Sequence, residues 1–323
     1  MPRKEIAKRR RDDAGPSLRP PCFAHEQHQQ RYARLTGLPL SRTFLLDWDP
    51  LEQLHIADRV RSLLSVNGWD RVFAINEATY REHTLEVLSS FEFDRSPSAL
   101  LTTRTISFQL YGVAHRMSLD RFAIYMGIYD QDYLRIPGTR LLTSFPGHII
   151  SHSRYWQQLG GGPNKKASSM TDPVHRYIHA LVSRTIAGRT DSTGVVTVSD
   201  RFLLYSIFER TPIHLGYVLA DYIAHQGQSH KHKHIIAGPY ITRLIRGMPV
   251  ELRTDGIEHL HLMQPLGMNT LLQMKLVQLS GGRYRLAGRL TSRRHLRRRL
   301  LRVFLRHPGR ASLSIHAQPS HSH

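Results

Sequence analysis

The stretch 105–128, TISFQLYGVAHRMSLDRFAIYMGI, constrains the fold of this chain most. Ile106, Phe108 and Leu110 alternate with Ser107 and Gln109. That period of two belongs to a strand with one face buried and one face in water. Tyr111-Gly112 follows, and glycine tolerates the positive φ that a tight hairpin turn demands. Val113 to Met117 returns as a second strand. Ser118 is then placed to cap a helix whose apolar side is Phe122, Ile124, Tyr125 and Ile128, with Gly127 near its end. A β-hairpin over about 105–117, leading directly into a helix, is therefore expected.

Helical spacing dominates elsewhere. Asp49 and Pro50 read as cap and first residue of a helix reaching Leu64, with Leu54, Ala57, Val60 and Leu64 on its apolar face and Gly68 beyond. A second helix is expected over 77–90, from its apolar Tyr80, Leu85 and Leu88, and a short strand around Phe91 and Phe93. Asp172 and Pro173 open a third, carrying Val174, Tyr177, Ile178, Leu181 and Val182, with Gly188 as its stop. Asp200 reads as the start of the next helix and Pro212 as the start of another. In the latter, Leu215, Val218, Leu219, Tyr222 and Ile223 fall at i, i+3, i+4, i+7 and i+8, the strongest amphipathic signal in the chain. A shorter helix is expected near Tyr240, with Ile241, Leu244 and Ile245 apolar. These elements describe an α+β domain, mainly helical, with the hairpin packed among several amphipathic helices. Its expected span is 29–288. The glycine run Gly160-Gly161-Gly162 suggests an internal linker over 155–171.

Charge separates the ends from the middle. The chain has 323 residues, with 45 Lys+Arg against 25 Asp+Glu, a net charge of +20. Residues 261–323 hold 12 basic and no acidic residues, and residues 1–13 hold six basic and three acidic, leaving 27 basic and 22 acidic over 14–260. The excess thus sits at the two ends and points to a polyanionic partner. Residues 1–28 read as a disordered basic arm, in which Lys8, Arg9, Arg10 and Arg11 form either a nuclear import or RNA-binding cluster or a solubilising tail. Residues 289–323 read as an arginine-rich, low-complexity tail. Eleven arginines lie between 283 and 310, with Leu290, Leu296, Leu300, Leu301 and Phe304 interleaved. Arg293, Arg294, Arg297, Arg298, Arg299 and Arg302 are the candidate nucleic-acid contacts, because arginine grips phosphate bidentately and such segments fold on RNA. RNA is expected rather than DNA. A basic helix on an anionic membrane and an extension without a role are the competing readings.

Motifs of chemistry are sparse. The single cysteine, Cys22, excludes a disulfide framework and a multi-cysteine zinc knuckle, and suits a reducing compartment. No H-E-x-x-H, G-x-S-x-G or dinucleotide fingerprint occurs, and the glycine run before Lys165-Lys166 lacks phosphate-loop spacing. His230, His232 and His234 alternate with lysines, which repel cations, so a solvated basic connector is expected there rather than a metal site. The pair His259 and His261 is a weaker candidate. Asp120 and Asp130 stand ten residues apart across a helix end and are not expected to act together. No catalytic residue, cofactor or metal is therefore expected. No apolar run approaches the ~20 residues that span a bilayer, and the N-terminus lacks a signal-peptide core. A nuclear or cytoplasmic, non-secreted protein is expected.

Four segments carry a family resemblance: TYREHTLEVLSS (79–90), the stretch 105–129, DPVHRYIH (172–179) and AGPYITRL (237–244). In content and order they resemble the plant Athila-type (Gypsy-class) retrotransposon protein, the product of the element's first open reading frame, which carries the putative plant transposon protein domain. The resemblance runs from about Arg31 to about Leu286. The strand–turn–strand–Ser–helix unit is also similar to that of the plant mobile domain. The resemblance implies a non-enzymatic Gag-region or accessory structural protein, capable of self-association, with no catalytic residues to carry over. The alternative it implies is a host nuclear protein-interaction module of plant-mobile-domain type. The Cys-His knuckle of many Gag proteins is absent from this sequence.

Overall fold

The structure, a computed structural model, describes residues 21–96, 103–135, 141–189 and 193–287. It is an α+β fold in which helices predominate and the sheets are small. One large apolar core, from Leu35 to Val277, runs through the described residues.

The first helix, α1 (Glu26–Thr36), starts earlier than the expected limit of the arm at residue 28. Phe23 is buried and packs on His28 and Tyr32, with ring centroids 6.2 and 5.7 Å apart. The Cys22 carbonyl accepts a bond from the Gln109 side chain at 3.0 Å. The packed body thus begins at least at 22, and residues 1–20 lie outside the described ones. After β1 (Thr43–Leu45), the helix expected over 49–64 is two: α2 (Trp48–Gln53) and α3 (Ala57–Leu64). Asp47, not Asp49, caps α2 by accepting from the Asp49 amide at 3.2 Å. The break is a Schellman closure, with His55 at φ 54° and bonds Ile56 N–H to Leu51 carbonyl and His55 N–H to Glu52 carbonyl, each 3.0 Å. It delivers Ile56 into the core, fully buried.

Beyond α4 (Trp69–Phe73) and β2 (Thr79–Tyr80) comes α5 (Arg81–Ser90), the central helix. Every residue from His83 to Ser90 is buried, because α5 is flanked by α1 on one side and by the hairpin and two later helices on others. Its serines turn inward, and Ser89 and Ser90 satisfy their hydroxyls on the Leu85 and Glu86 carbonyls. Strands β3 (Glu92–Phe93), β4 (Thr105–Leu110) and β5 (Val113–Ser118) form an antiparallel sheet in that order. The β4 face of Ile106, Phe108 and Leu110 is buried as its alternation requires. Phe108 stacks on Phe91, and Phe91 meets Phe122 of α6 (Leu119–Tyr125) edge-on. Ser118 caps α6 by accepting from the Arg121 amide at 3.2 Å.

The turn of this hairpin is held by an acid. Tyr111 and Gly112 both have positive φ, 55° and 77°. Glu86, buried on α5, accepts from the Gly112 amide at 2.8 Å, the Tyr111 amide at 2.9 Å and the Gln109 side chain at 3.0 Å. A buried carboxylate is tolerable when its lone pairs are filled in this way.

Helix α7 (Gln131–Arg135) precedes α8 (His152–Gln158), and the segment 155–171 is packed rather than a loose linker. Tyr155, Trp156, Leu159 and Met170 are buried. The Trp156 indole N–H donates to the Gly162 carbonyl at 2.8 Å, and the Gly162 amide to the Ser169 hydroxyl at 2.9 Å. Glycine serves here because a Cβ on Gly161 would collide with the Trp156 ring. Asp172 caps α9 (Pro173–Arg184) through the Val174 amide, and its carboxylate also takes Arg59 at 2.6 Å. Helix α10 (Val198–Phe208) begins before Asp200. Thr197 is its cap, and Asp200 completes the capping box from the third position. Helix α11 (Leu215–Gln228) begins after Pro212, because 212–213 runs extended beside Leu142, leaving His214 to cap it through the Tyr217 amide at 3.1 Å. Gly227 lets α11 approach α5, since a Cβ there would strike the Leu88 carbonyl.

The remaining elements are α12 (Gly238–Gly247), β6 (His259–Leu260), β7 (Met263–Pro265), α13 (Met268–Gln273), β8 (Val277–Ser280) and β9 (Arg283–Leu286). β7 pairs parallel with β1 and β6 antiparallel with β2, so the last quarter of the body is stitched to its first.

Candidate nucleic-acid interface

The arginine-rich stretch begins on a described element, the hairpin β8–β9. Gly281 and Gly282, at φ 56° and 74°, make its two-residue turn, and Ser280 pairs with Arg283 across it. The register places Gln278, Ser280, Arg283 and Arg285 on one face. The other carries Val277, Leu279, Tyr284 and Leu286, of which Val277 is buried. Leu279 and Tyr284 stay 61% and 39% exposed, so most of this hairpin is not core.

It is nonetheless held firmly at its base. Arg176 on α9 donates to the Ala287 carbonyl at 3.1 Å, the Lys275 carbonyl at 2.8 Å and the Met274 carbonyl at 3.3 Å. The Ala287 amide closes the ladder on the Leu276 carbonyl at 2.8 Å. One guanidinium thus grips both the entry and the exit of the hairpin, and the exit leads towards 288–323.

Arg283 and Arg285 are exposed, and neither has an acidic partner among the described residues. With Tyr284, Leu286, Gln53, Leu54 and His55 they line a concavity of about 460 Å³ that contains no carboxylate. Glu52, next to that wall in the chain, is held by Arg61. Two guanidiniums with no acidic partner among the described residues, on the face opposite the exposed Tyr284 ring, suit a phosphate backbone.

Arg293, Arg294, Arg297, Arg298, Arg299 and Arg302 lie outside the described residues, as do Lys8, Arg9, Arg10 and Arg11. The histidine connector is described and is more built than solvation alone requires. His230 is exposed, but His234 accepts or donates at 2.8 Å to the Ser41 hydroxyl, and Ile235 bridges to Leu40. The rings of His225 and His232 meet edge-on at 5.0 Å. Burial first, then the neighbouring His225 and Arg34, holds the His232 pKa below its ordinary value, and its Nε2 is buried without a partner. No group of three His, Cys, Asp or Glu among the described residues could hold a metal ion. His259 and His261 face each other edge-on at 5.8 Å.

The structure separates Asp120 and Asp130 by their partners. Asp120 faces His214 at 3.4 Å, whereas Asp130 takes the Tyr133 amide at 2.7 Å and approaches Arg71 at 3.7 Å. A buried cluster that periodicity does not reveal joins α9 to α10. Asp200 accepts from Arg189 at 2.6 Å, from the Thr197 amide at 2.8 Å and faces His179 at 3.3 Å. Burial opposes its ionisation, but the His179 hydrogen bond and the Arg189 charge outweigh it and hold the carboxyl below its usual pKa. Asp200 also completes the Thr197 capping box of α10, so this cluster ties the start of α10 to His179 on α9.

No helix among the described residues is long and apolar enough to cross a membrane. Compared with known proteins, the chain matches no family model, no curated protein and no solved structure.

Proposed function

We propose that this is a non-enzymatic structural protein of the Gag region of an Athila-type retrotransposon, or a protein derived from one, and that it holds RNA through phosphate charge at its basic ends. The observation that carries the contact is the anchored hairpin. Arg176 fixes its base to α9 while Arg283 and Arg285 stand exposed, without an acidic partner among the described residues, at the start of the arginine-rich stretch. The element assignment rests on the four resembling segments, which become α5 with β2, the clamped hairpin with α6, the start of α9 and the start of α12. All four contribute side chains to the one apolar core, and the first, second and fourth pack directly on one another.

The test is a salt series with unrelated single-stranded RNAs on the full chain and on a variant with Arg293, Arg294, Arg297, Arg298, Arg299 and Arg302 changed to Ala. Affinity should fall with salt by about −0.7 in log–log slope per phosphate contact, with little preference among sequences. The variant should lose most of the binding. Equal affinity for both chains would sink the proposed contact. Particle assembly that requires RNA would support the Gag-region role, whereas a monomer recovered with chromatin proteins would favour a host nuclear interaction module.

A further inference from the structure

A second concavity, of about 720 Å³, opens between the N-terminal half of α10, the middle of α11 and the connector 231–234. Its lining is partly apolar, with Phe202 and Val218 contributing, and includes Tyr217, whose ring also carries the Arg104 guanidinium and the edge of Phe93. Its charge is lopsided. Lys231 and Lys233 are exposed on its edge beside His225, and neither lysine has an acidic partner among the described residues. The third cation, Arg189, is already committed to Asp200 and to the Val195 carbonyl. Among the described residues the single acid in the lining, Asp221, is taken by Arg95 at 2.5 Å. What remains unneutralised among the described residues at this mouth is therefore positive, beside an apolar lining.

That combination selects an anion with a flat apolar body. A cavity of this size lies within the range that encloses a compact ligand. A peptide added as a strand needs a free strand edge, and these walls are the helices α10 and α11. A nucleotide unit places its ring on the apolar lining and its phosphate at the lysines, the division of labour common to single-strand binding sites.

We infer that this cleft takes one nucleotide unit of a single RNA strand, with its phosphate at Lys231 and Lys233. It is a second contact, separate from the arginine-rich stretch, and it rests on the proposed binding of RNA. The lysines, which argue against a cation among the histidines, are on this account the reason the connector is there.

The test uses the full chain, a U12 RNA carrying one 4-thiouridine, and free UMP. Lys231→Ala with Lys233→Ala alters two exposed side chains, so an unchanged thermal transition is expected. The double variant should weaken U12 binding about three- to tenfold at low salt and flatten the salt slope by roughly 0.7, the value for one lost phosphate contact. Cross-links should map to 198–203 or 217–225 and fade in the variant. Unchanged affinity, with cross-links confined to residues outside the cleft, would overturn the inference and leave the arginine-rich contact standing. Loss of binding in the lysine variant but not in the six-arginine variant would leave the cleft standing and remove the arginine-rich contact. UMP competing as well as U12, lysine for lysine, would make the occupant a free nucleotide. A poly-glutamate peptide that displaces U12 at lower concentration than UMP would overturn the nucleotide assignment.

Discussion

Hairpin β4–β5 turns on Tyr111-Gly112 and hairpin β8–β9 on Gly281-Gly282, with positive φ at both turn residues in each. Their fates differ. The first buries Ile106, Phe108 and Leu110 and has its turn amides bound by a carboxylate from a neighbouring helix. Among the described residues the second buries only Val277, and no side chain bonds to its glycine turn. A β-hairpin alone is marginal in water. The first becomes stable by joining the core, and the second by being gripped at its base by Arg176. That difference frees the second to present charge, since nothing in its exposed half is needed for packing.

The sharpest way to break this comparison is to hollow out one hairpin and then the other. Phe108→Ala removes a buried ring that stacks on Phe91. It should cost about 3–5 kcal/mol in urea unfolding, the usual range for such a cavity. Leu279→Ala, on the corresponding apolar face of β8–β9, should stay within about 0.5 kcal/mol because that side chain is 61% exposed. Comparable losses at the two sites would mean that β8–β9 is packed core after all.

Next in size is the clamp. Glu86→Ala should destabilise the body by about 2 kcal/mol, because it strands the Tyr111 and Gly112 amides and the Gln109 side chain together. Hydrogen exchange at those two turn amides should rise with it. A neutral result would show that water replaces the carboxylate without loss, and would remove the main contrast between the turns. Smaller again is Arg176→Ala. It should cost about 1 kcal/mol globally and speed exchange at Ala287 more than at Leu110, since it releases only the base of β8–β9.

Much of this contrast can be read from residues and some cannot. The buried face of β4, the Ser118 cap and the Asp172-Pro173 start each depend on neighbours close in sequence, and each is found where spacing places it. The clamp is invisible in the sequence because an acid inside a helix usually marks the solvent face, and its three donors lie 23 to 26 positions away. The break at His55 has no glycine or proline to announce it; what imposes it is the burial of Ile56. Gly160-Gly161-Gly162 signals flexibility by composition, yet the Trp156 ring lying against Gly161 leaves no room for a Cβ there, and the Trp156 indole bonds to the Gly162 carbonyl. At the candidate interface the charge was legible, but the anchor was not, because Arg176 reaches its carbonyls from about a hundred residues away.

The smallest expected effect on stability belongs to Arg283→Ala combined with Arg285→Ala. Both side chains are exposed and make no ion pair among the described residues, so the unfolding midpoint should move by less than about 0.5 kcal/mol. RNA affinity should respond differently. If both guanidiniums meet phosphate, the salt slope should flatten by roughly 1.4 while sequence preference stays slight. Tyr284→Ala in the same hairpin supplies the counterpart. A base resting on that ring should lose about 1–3 kcal/mol of binding with the slope unchanged, because stacking releases no counterions. Charge loss and ring loss would then separate within one four-residue strand. If the arginine pair instead lowers stability and leaves RNA binding intact, β8–β9 is a structural element like β4–β5, and the distinction between the two hairpins fails at its functional end.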